Sequence, residues 1–166
     1  MASTQRITPC LWFDDQAEEA VNFYASIFKR SKIVSIARYG EAGREFHGKP
    51  PGTVMTVAFE LDGQAFTALN GGPMFKFNEA ISLQINCDTQ EEVDHYWEKL
   101  SEGGDKKAQQ CGWLKDKYGV SWQVVPIVLI EMLTDPDSAK SQRAMTAMLQ
   151  MKKIDIAELE RAYAMR

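Results

Sequence analysis

The chain overlays on itself. Shifted by 74 positions, Ile7-Thr8 falls on Ile81-Ser82, Leu11 on Ile85 and Asp14 on Asp88. A shift of 73 then sets Glu18-Glu19 on Glu91-Glu92, Phe23-Tyr24 on Tyr96-Trp97 and Ile27 on Leu100, one residue having been gained or lost. Farther on, a shift of 56 aligns residues 63–67 with 119–123. Matches that recur in the same order describe one supersecondary unit written twice. Such a unit cannot bury its own apolar face alone, so two copies are expected to complete each other.

Periodicity identifies the elements. The run ITPCLWF at 7–13 predicts a strand, and Ala17, Ala20, Val21, Tyr24, Ile27 and Phe28 recur at helical spacing behind it. Asp15 and Glu18 have the capping-box spacing that satisfies orphan amides in a first helical turn. A β-rich run at 32–39, a long loop at 40–52 and two strands around Asp62-Gly63 follow, and Asn70-Gly71-Gly72-Pro73 breaks the pattern. ISLQINCD then begins it again, with Thr89 and Glu92 as a second capping box before Val93, Tyr96, Trp97 and Leu100. After Gly103-Gly104, a short strand or loop leads to Cys111, and residues 112–117 turn at Tyr118-Gly119 into VSWQVVP.

The expectation is an α+β protein of two βαβββ modules, at about 5–71 and 79–126, curled into a cup-shaped mixed sheet with a helical tail at 127–166. In that tail a helix starting near Asp135-Pro136 presents Ala144, Met145, Met148, Leu149 and Met151, and a short one near 156–164 is capped by Asp155 and Glu158. Methionine-rich helices adapt to irregular surfaces, so the tail can pack on its own sheet or on another subunit. At 166 residues and 45% hydrophobic content, the modules and tail fit one domain.

Charge and cysteines narrow the function classes. Nineteen basic against 23 acidic residues, without a sustained run of either sign, argue against nucleic acid as a partner. No stretch reaches the roughly 18–20 apolar residues of a membrane span, and the start MASTQRITP lacks a basic-then-apolar signal, so a cytoplasmic protein is expected. Cys10, Cys87 and Cys111 are odd in number and form no CxxC pair, which suggests neither a disulfide framework nor a zinc knuckle.

The segments ITPCLWFDDQAEEAVNFYASIF, LNGGPMFKFNEAISLQINCDTQEEVDHYW, CGWLKDKYGVSWQVVP and DPDSAKSQRAMTAMLQMKKIDI resemble the vicinal-oxygen-chelate superfamily of glyoxalases, bleomycin-resistance proteins and dioxygenases. Within it they resemble the PhnB-like proteins described as 3-demethylubiquinone-9 3-methyltransferases. The resemblance implies the glyoxalase-like fold and a homodimer. It also implies where metal-using members place their ligands, on the first and last strand of each module.

Carried onto this chain through the repeat, those positions are Thr8, Thr67, Ser82 and Gln123, which offer only neutral oxygens where a transition ion needs imidazole, thiolate or carboxylate. A one-residue slip to Ile7, Pro9, Phe66, Ala68, Ile81, Leu83, Trp122 or Val124 supplies no ligand either. His47 in the loop and His95 on the second helix read as surface residues, though His47 reaches the cup if its loop folds over.

Strand alternation turns Thr8, Cys10, Trp12, Ala65, Thr67, Leu69, Ser82, Gln84, Asn86, Ser121, Gln123 and Val125 toward the cup. It turns Ile7, Leu11, Phe13, Ile81, Leu83, Ile85, Cys87, Trp122 and Val124 toward the helices. A polar set of hydroxyls and amides calls for water, a ligand or a second chain to satisfy it.

The expected site is therefore a metal-free ligand pocket of Thr8, Cys10, Trp12, Thr67, Leu69, Ser82, Gln84, Asn86, Ser121 and Gln123, with no cofactor and no assignable catalytic group. No strand leads through a glycine-rich turn into a helix with an acidic ribose-binding residue, so methyl transfer from a Rossmann-bound donor is not expected. The preferred reading is a small-molecule binder. Its alternatives are an enzyme using a recruited divalent metal or Glu41, Glu45 and His47 of the 40–52 loop, and an interaction module whose tails close the cups.

Overall fold

The computed structural model describes residues 4–165, as two compact units, Met1–Lys76 and Phe77–Arg166. In the first unit, strand β1 (Cys10–Phe13) precedes helix α1 (Ala17–Ile27), then β2 (Lys32–Arg38), a single helical turn α2 (Arg44–His47), β3 (Val54–Leu61) and β4 (Gln64–Asn70). The sheet order is β1-β4-β3-β2, with β1 parallel to β4 and the other neighbours antiparallel. This is the expected βαβββ module.

Alternation decides which face the helix covers. Leu11 and Phe13 of β1, Val57, Phe59 and Leu61 of β3, and Ala68 of β4 are buried, as are Ala17, Ala20, Val21, Tyr24 and Ile27 along α1. The β3–β4 turn holds both Asp62 and Gly63 at positive φ, the requirement of the tight hairpin that Asp-Gly announces.

Two sequence expectations change here. The first strand begins at Cys10, so Ile7, expected under the helix, is 86% exposed, and Thr8 precedes the strand. Pro9 marks that edge: it has no N–H to give to the ladder, while its carbonyl accepts from Thr67 N at 2.9 Å. The Asp15–Glu18 capping box is also not what starts α1. Gln16 is the N-cap residue and makes no side-chain cap. The orphan amide of Ala17 donates instead to Oδ1 of Asn70, at 2.8 Å, from the far end of β4. Asn70 Nδ2 donates to Val54 O at 3.1 Å, and the backbone carbonyl of Asn70 accepts the Tyr39 hydroxyl at 2.7 Å. One buried asparagine, through side chain and backbone, ties helix, sheet and loop together.

The second unit repeats strand, helix and final hairpin: β5 (Ser82–Cys87), α3 (Gln90–Ser101), β6 (Trp113–Lys115) and β7 (Ser121–Pro126), in sheet order β5-β7-β6 with β5 parallel to β7. Where the first unit has β2, the second has a 3-10 turn at Lys106–Ala108 and one isolated bridge between Gln110 and Trp113. The segment GGDKKAQQ explains the difference, because it has no alternating apolar residues to lay on a half-buried sheet. Ile81 also falls outside its strand and is 77% exposed, whereas Cys87, Trp122 and Val124 are buried as expected. Thr89 caps α3 through Glu92 N, and the Glu92 carboxylate accepts from Asp88 N at 2.8 Å.

The tail forms α4 (Ile127–Leu133), α5 (Ser138–Leu149) and α6 (Ile156–Ala164), around a core of Leu129, Met132, Ala144, Ile154 and Leu159. It packs on its own unit. Gln90 of α3 donates to Ile154 O and accepts from Ile156 N, while Cys111 N and Gly112 N donate to Met151 O and Lys152 O. Gly112 is obligatory there: its φ is +84°, and a Cβ would stand 2.9 Å from Val124 O. Asp155 caps α6 through Glu158 N at 3.0 Å. No helix among the described residues is long and apolar enough to cross a membrane.

Replacing Asn70 by Leu orphans buried donors and acceptors in two elements. We expect a loss of about 2–4 kcal/mol in urea denaturation, against less than about 0.5 kcal/mol for Asp15→Ala. Equal losses for the two variants would mean that the local capping box holds the helix after all.

Candidate functional site

Each sheet has one face under its helix and one face open, and the open faces carry the polar residues. In the first unit Cys10 pairs with Thr67 and Trp12 with Leu69 across β1 and β4, so all four project from the open side. The ladder continues through Thr56 beside Leu69 and Ala58 beside Thr67 on β3. Thr8 is exposed and lies outside this in-register group.

Trp12 is fixed in place. Its indole Nε1 donates to Gly72 O at 2.9 Å, and Phe75 meets the ring edge-on with centroids 4.9 Å apart. The ring lies over Gly71, where a Cβ would come within 2.2 Å of Trp12 Cζ2. The indole donor is thus already committed, and Trp12 offers an incoming molecule an apolar surface. The breaker cluster Asn70-Gly71-Gly72-Pro73 is in this sense part of the site: it ends β4 and seats the tryptophan.

The second unit's open face is more polar. Ser82, Gln84 and Asn86 of β5 stand beside Ser121, Gln123 and Val125 of β7, and Trp113 and Lys115 of β6 flank Gln123 and Ser121. Gln123 Nε2 donates to Ser82 Oγ at 2.9 Å and Gln84 Nε2 to Asn86 Oδ1 at 2.9 Å. Ser121 is only 2% exposed, and its hydroxyl has no hydrogen-bond partner. Lys115 Nζ pairs with the Glu79 carboxylate, which holds that acid below the usual carboxylate range.

Beneath this face a carboxylate escaped the sequence reading. Asp116 is 2% exposed; its Oδ1 accepts from Tyr118 N and Val120 N and its Oδ2 from Trp122 Nε1. It shapes the β6–β7 turn and fixes the indole of a core tryptophan. The available signal was its position three residues before Gly119, the spacing of an Asp-initiated turn.

Cys10, Cys87 and His47 are not prepared for chemistry. Desolvation pushes the Cys10 thiol above its ordinary value, and burial with nearby Glu92 and Asp88 pushes Cys87 up to about 12, so neither thiolate is favoured. His47 does not fold over a sheet: its ring lies against Tyr39 with centroids 4.4 Å apart, and Nδ1 accepts from Lys49 N at 2.9 Å. Nε2 then carries the proton toward Ala42 O, 3.2 Å away. Glu41 of the same loop pairs with Arg44. Among the described residues no three His, Cys, Asp or Glu side chains stand together as a metal site requires.

Two mixed sheets, each with its first and last strands parallel and a helix on one face, define an α+β protein of glyoxalase-like fold. The profile of the 3-demethylubiquinone-9 3-methyltransferase family matches residues 5–125. The PhnB protein of Bacillus cereus is 41% identical over 74% of this chain and 99% of its own, with a TM-score of 0.64. The chain belongs to this PhnB-like family. A Pseudomonas aeruginosa protein at 20% identity covers 74% of the chain and 98% of its own, with a TM-score of 0.57. The fosfomycin-resistance protein FosX of Listeria monocytogenes, at 19% identity over 81% of this chain and 100% of its own, shares the fold with a TM-score of 0.51. No curated protein matches the sequence.

The family's description implies a methyl donor, and the strand–helix connections do not fit a Rossmann-bound one. β1 passes to α1 through Asp14-Asp15-Gln16, β5 to α3 through Asp88-Thr89, and β7 directly into α4, all without glycine, while Gly40 and Gly43 after β2 lead only into the single turn α2. Gly71-Gly72 follows β4, but the next element is β5 rather than a helix. The neutral side chains at Thr8, Thr67, Ser82 and Gln123 likewise do not fit a transition ion.

Gly71→Ala tests the seating of Trp12. The new methyl must displace the ring, break its bond to Gly72 O and cost about 1–3 kcal/mol. In two-dimensional NMR the Trp12 indole proton is expected to shift and exchange with solvent faster than in the parent. An unchanged indole resonance would show that the ring is not held against Gly71.

Proposed function

We propose that this protein binds a small organic molecule on the open sheet faces rather than transferring a methyl group, and that it works as a cytoplasmic homodimer. The observation that carries this reading is the in-register set Ser82, Gln84, Asn86, Ser121 and Gln123: five neutral polar side chains on one side of a two-strand ladder. A sheet face that served only as a surface has no use for a buried hydroxyl without a partner. A ligand with donors and acceptors matches these amides and hydroxyls, and on the first unit's own face Trp12 offers apolar contact area.

Two separate faces are candidates: Cys10, Trp12, Thr67 and Leu69 in the first unit, and the polar ladder in the second. Thr8, outside the first ladder, is the weakest member of the expected set. The resemblance to a superfamily of dimers supports the homodimer, and the near balance of charges supports a partner that is neither nucleic acid nor membrane. The tail belongs to the core of its own unit, so it is not the free element that an interaction module would offer.

The test is a ligand-observed NMR screen of the full-length chain with small, uncharged, hydrogen-bonding aromatic compounds. Compounds that bind the parent are expected to lose about tenfold in affinity with Gln84→Leu or Trp12→Ala, the equivalent of about 1.4 kcal/mol. Undiminished binding of every such compound by both variants would sink the proposal.

A further inference from the structure

Lys115 and Ser121 are direct neighbours across β6 and β7 and project from the same face. The lysine side chain is 26% exposed and its partner, the Glu79 carboxylate, is 62% exposed. Glu79 comes from the irregular segment between the last residue of the first unit and β5, and Phe77 of that segment lies near Gly119 at the start of β7. Ser121, next to Lys115 in the ladder, is buried with its hydroxyl unpartnered. An ammonium and an adjacent O–H form a two-point donor set for a carboxylate, and the protein's own carboxylate occupies only the ammonium.

We propose that the Lys115–Ser121 pair is a carboxylate-binding subsite on the open face of the second unit, with Glu79 as an internal stand-in that an anionic ligand displaces. The inference rests on the ligand-binding reading above and names the ligand's chemical class. The balance favours exchange. Glu79 is largely exposed, and an incoming carboxylate that replaces it keeps the half-buried ammonium paired. The same carboxylate gives the buried Ser121 hydroxyl the acceptor that Glu79 does not supply. Ser82, bonded to Gln123 on the far side of Ser121, closes the row with neutral groups, so a single carboxylate is matched better than a dianion.

The experiment titrates the full-length protein with benzoate and with its uncharged isostere benzamide, reading the backbone amide resonances of β6 and β7. Benzoate is expected to bind more tightly than benzamide, about tenfold more tightly still to Glu79→Gln, and not measurably to Lys115→Met. Ser121→Ala, which keeps the packing, is expected to weaken benzoate by a larger factor than benzamide. Equal binding of the two compounds to all variants would overturn the carboxylate subsite while leaving the broader binding reading intact. Absence of benzoate binding in both the parent and Glu79→Gln would overturn it as well. Undiminished binding of every neutral aromatic by Gln84→Leu and Trp12→Ala in the earlier screen would instead remove the binding reading itself.

Discussion

The parallel pairing of first and last strands determines everything else in these units. Cys10 beside Thr67 in one sheet and Ser82 beside Ser121 in the other can be reached only by a chain that crosses over between them, and in both units the crossover carries a helix. That helix covers one face of its sheet, the face on which Leu11, Phe13, Trp122 and Val124 are buried. The other face is left open by construction. Its side chains are then free of the packing demands that the helix places on the covered face.

Much of this was legible in the sequence because it depends on short-range pattern. The strand–helix–hairpin order, the Asp-Gly turn and the caps at Thr89 and Asp155 are each encoded within a few residues, and the structure shows them where the spacing puts them. The two-residue alternation also sorted Cys10, Trp12, Thr67 and Leu69 from Leu11, Phe13 and Ala68. What was not legible depends on residues distant in the chain. Asp15 and Glu18 have the spacing of a cap, but a donor satisfied by Asn70, 53 residues away, has no further need of it. The attachment of the tail through Gln90, 64 residues before Ile154, is invisible to periodicity for the same reason. The second unit's missing strand is different in kind: its polar segment carried the information, and the repeat outweighed it.

The open faces combine fixed and uncommitted groups. Trp12 and Asp116 are held by several partners each, so the walls and the turn around the faces are rigid. Gln84 and Asn86 bond mainly to each other, and Ser121 to nothing. A pair of amides bonded to each other can open to a ligand at modest cost, because a new hydrogen bond replaces the old. Groups of this kind offer hydrogen bonds without charge. On the binding reading proposed above, they are what a ligand meets.

Native mass spectrometry of the freshly purified full-length chain tests the central claim most directly, since subunit number, bound metal and retained organic matter all register as mass. The account predicts a dimer that retains small organic mass and no stoichiometric transition ion. One divalent transition ion per chain would contradict it, because the neutral side chains of the open faces could not then be the groups that determine what this protein binds.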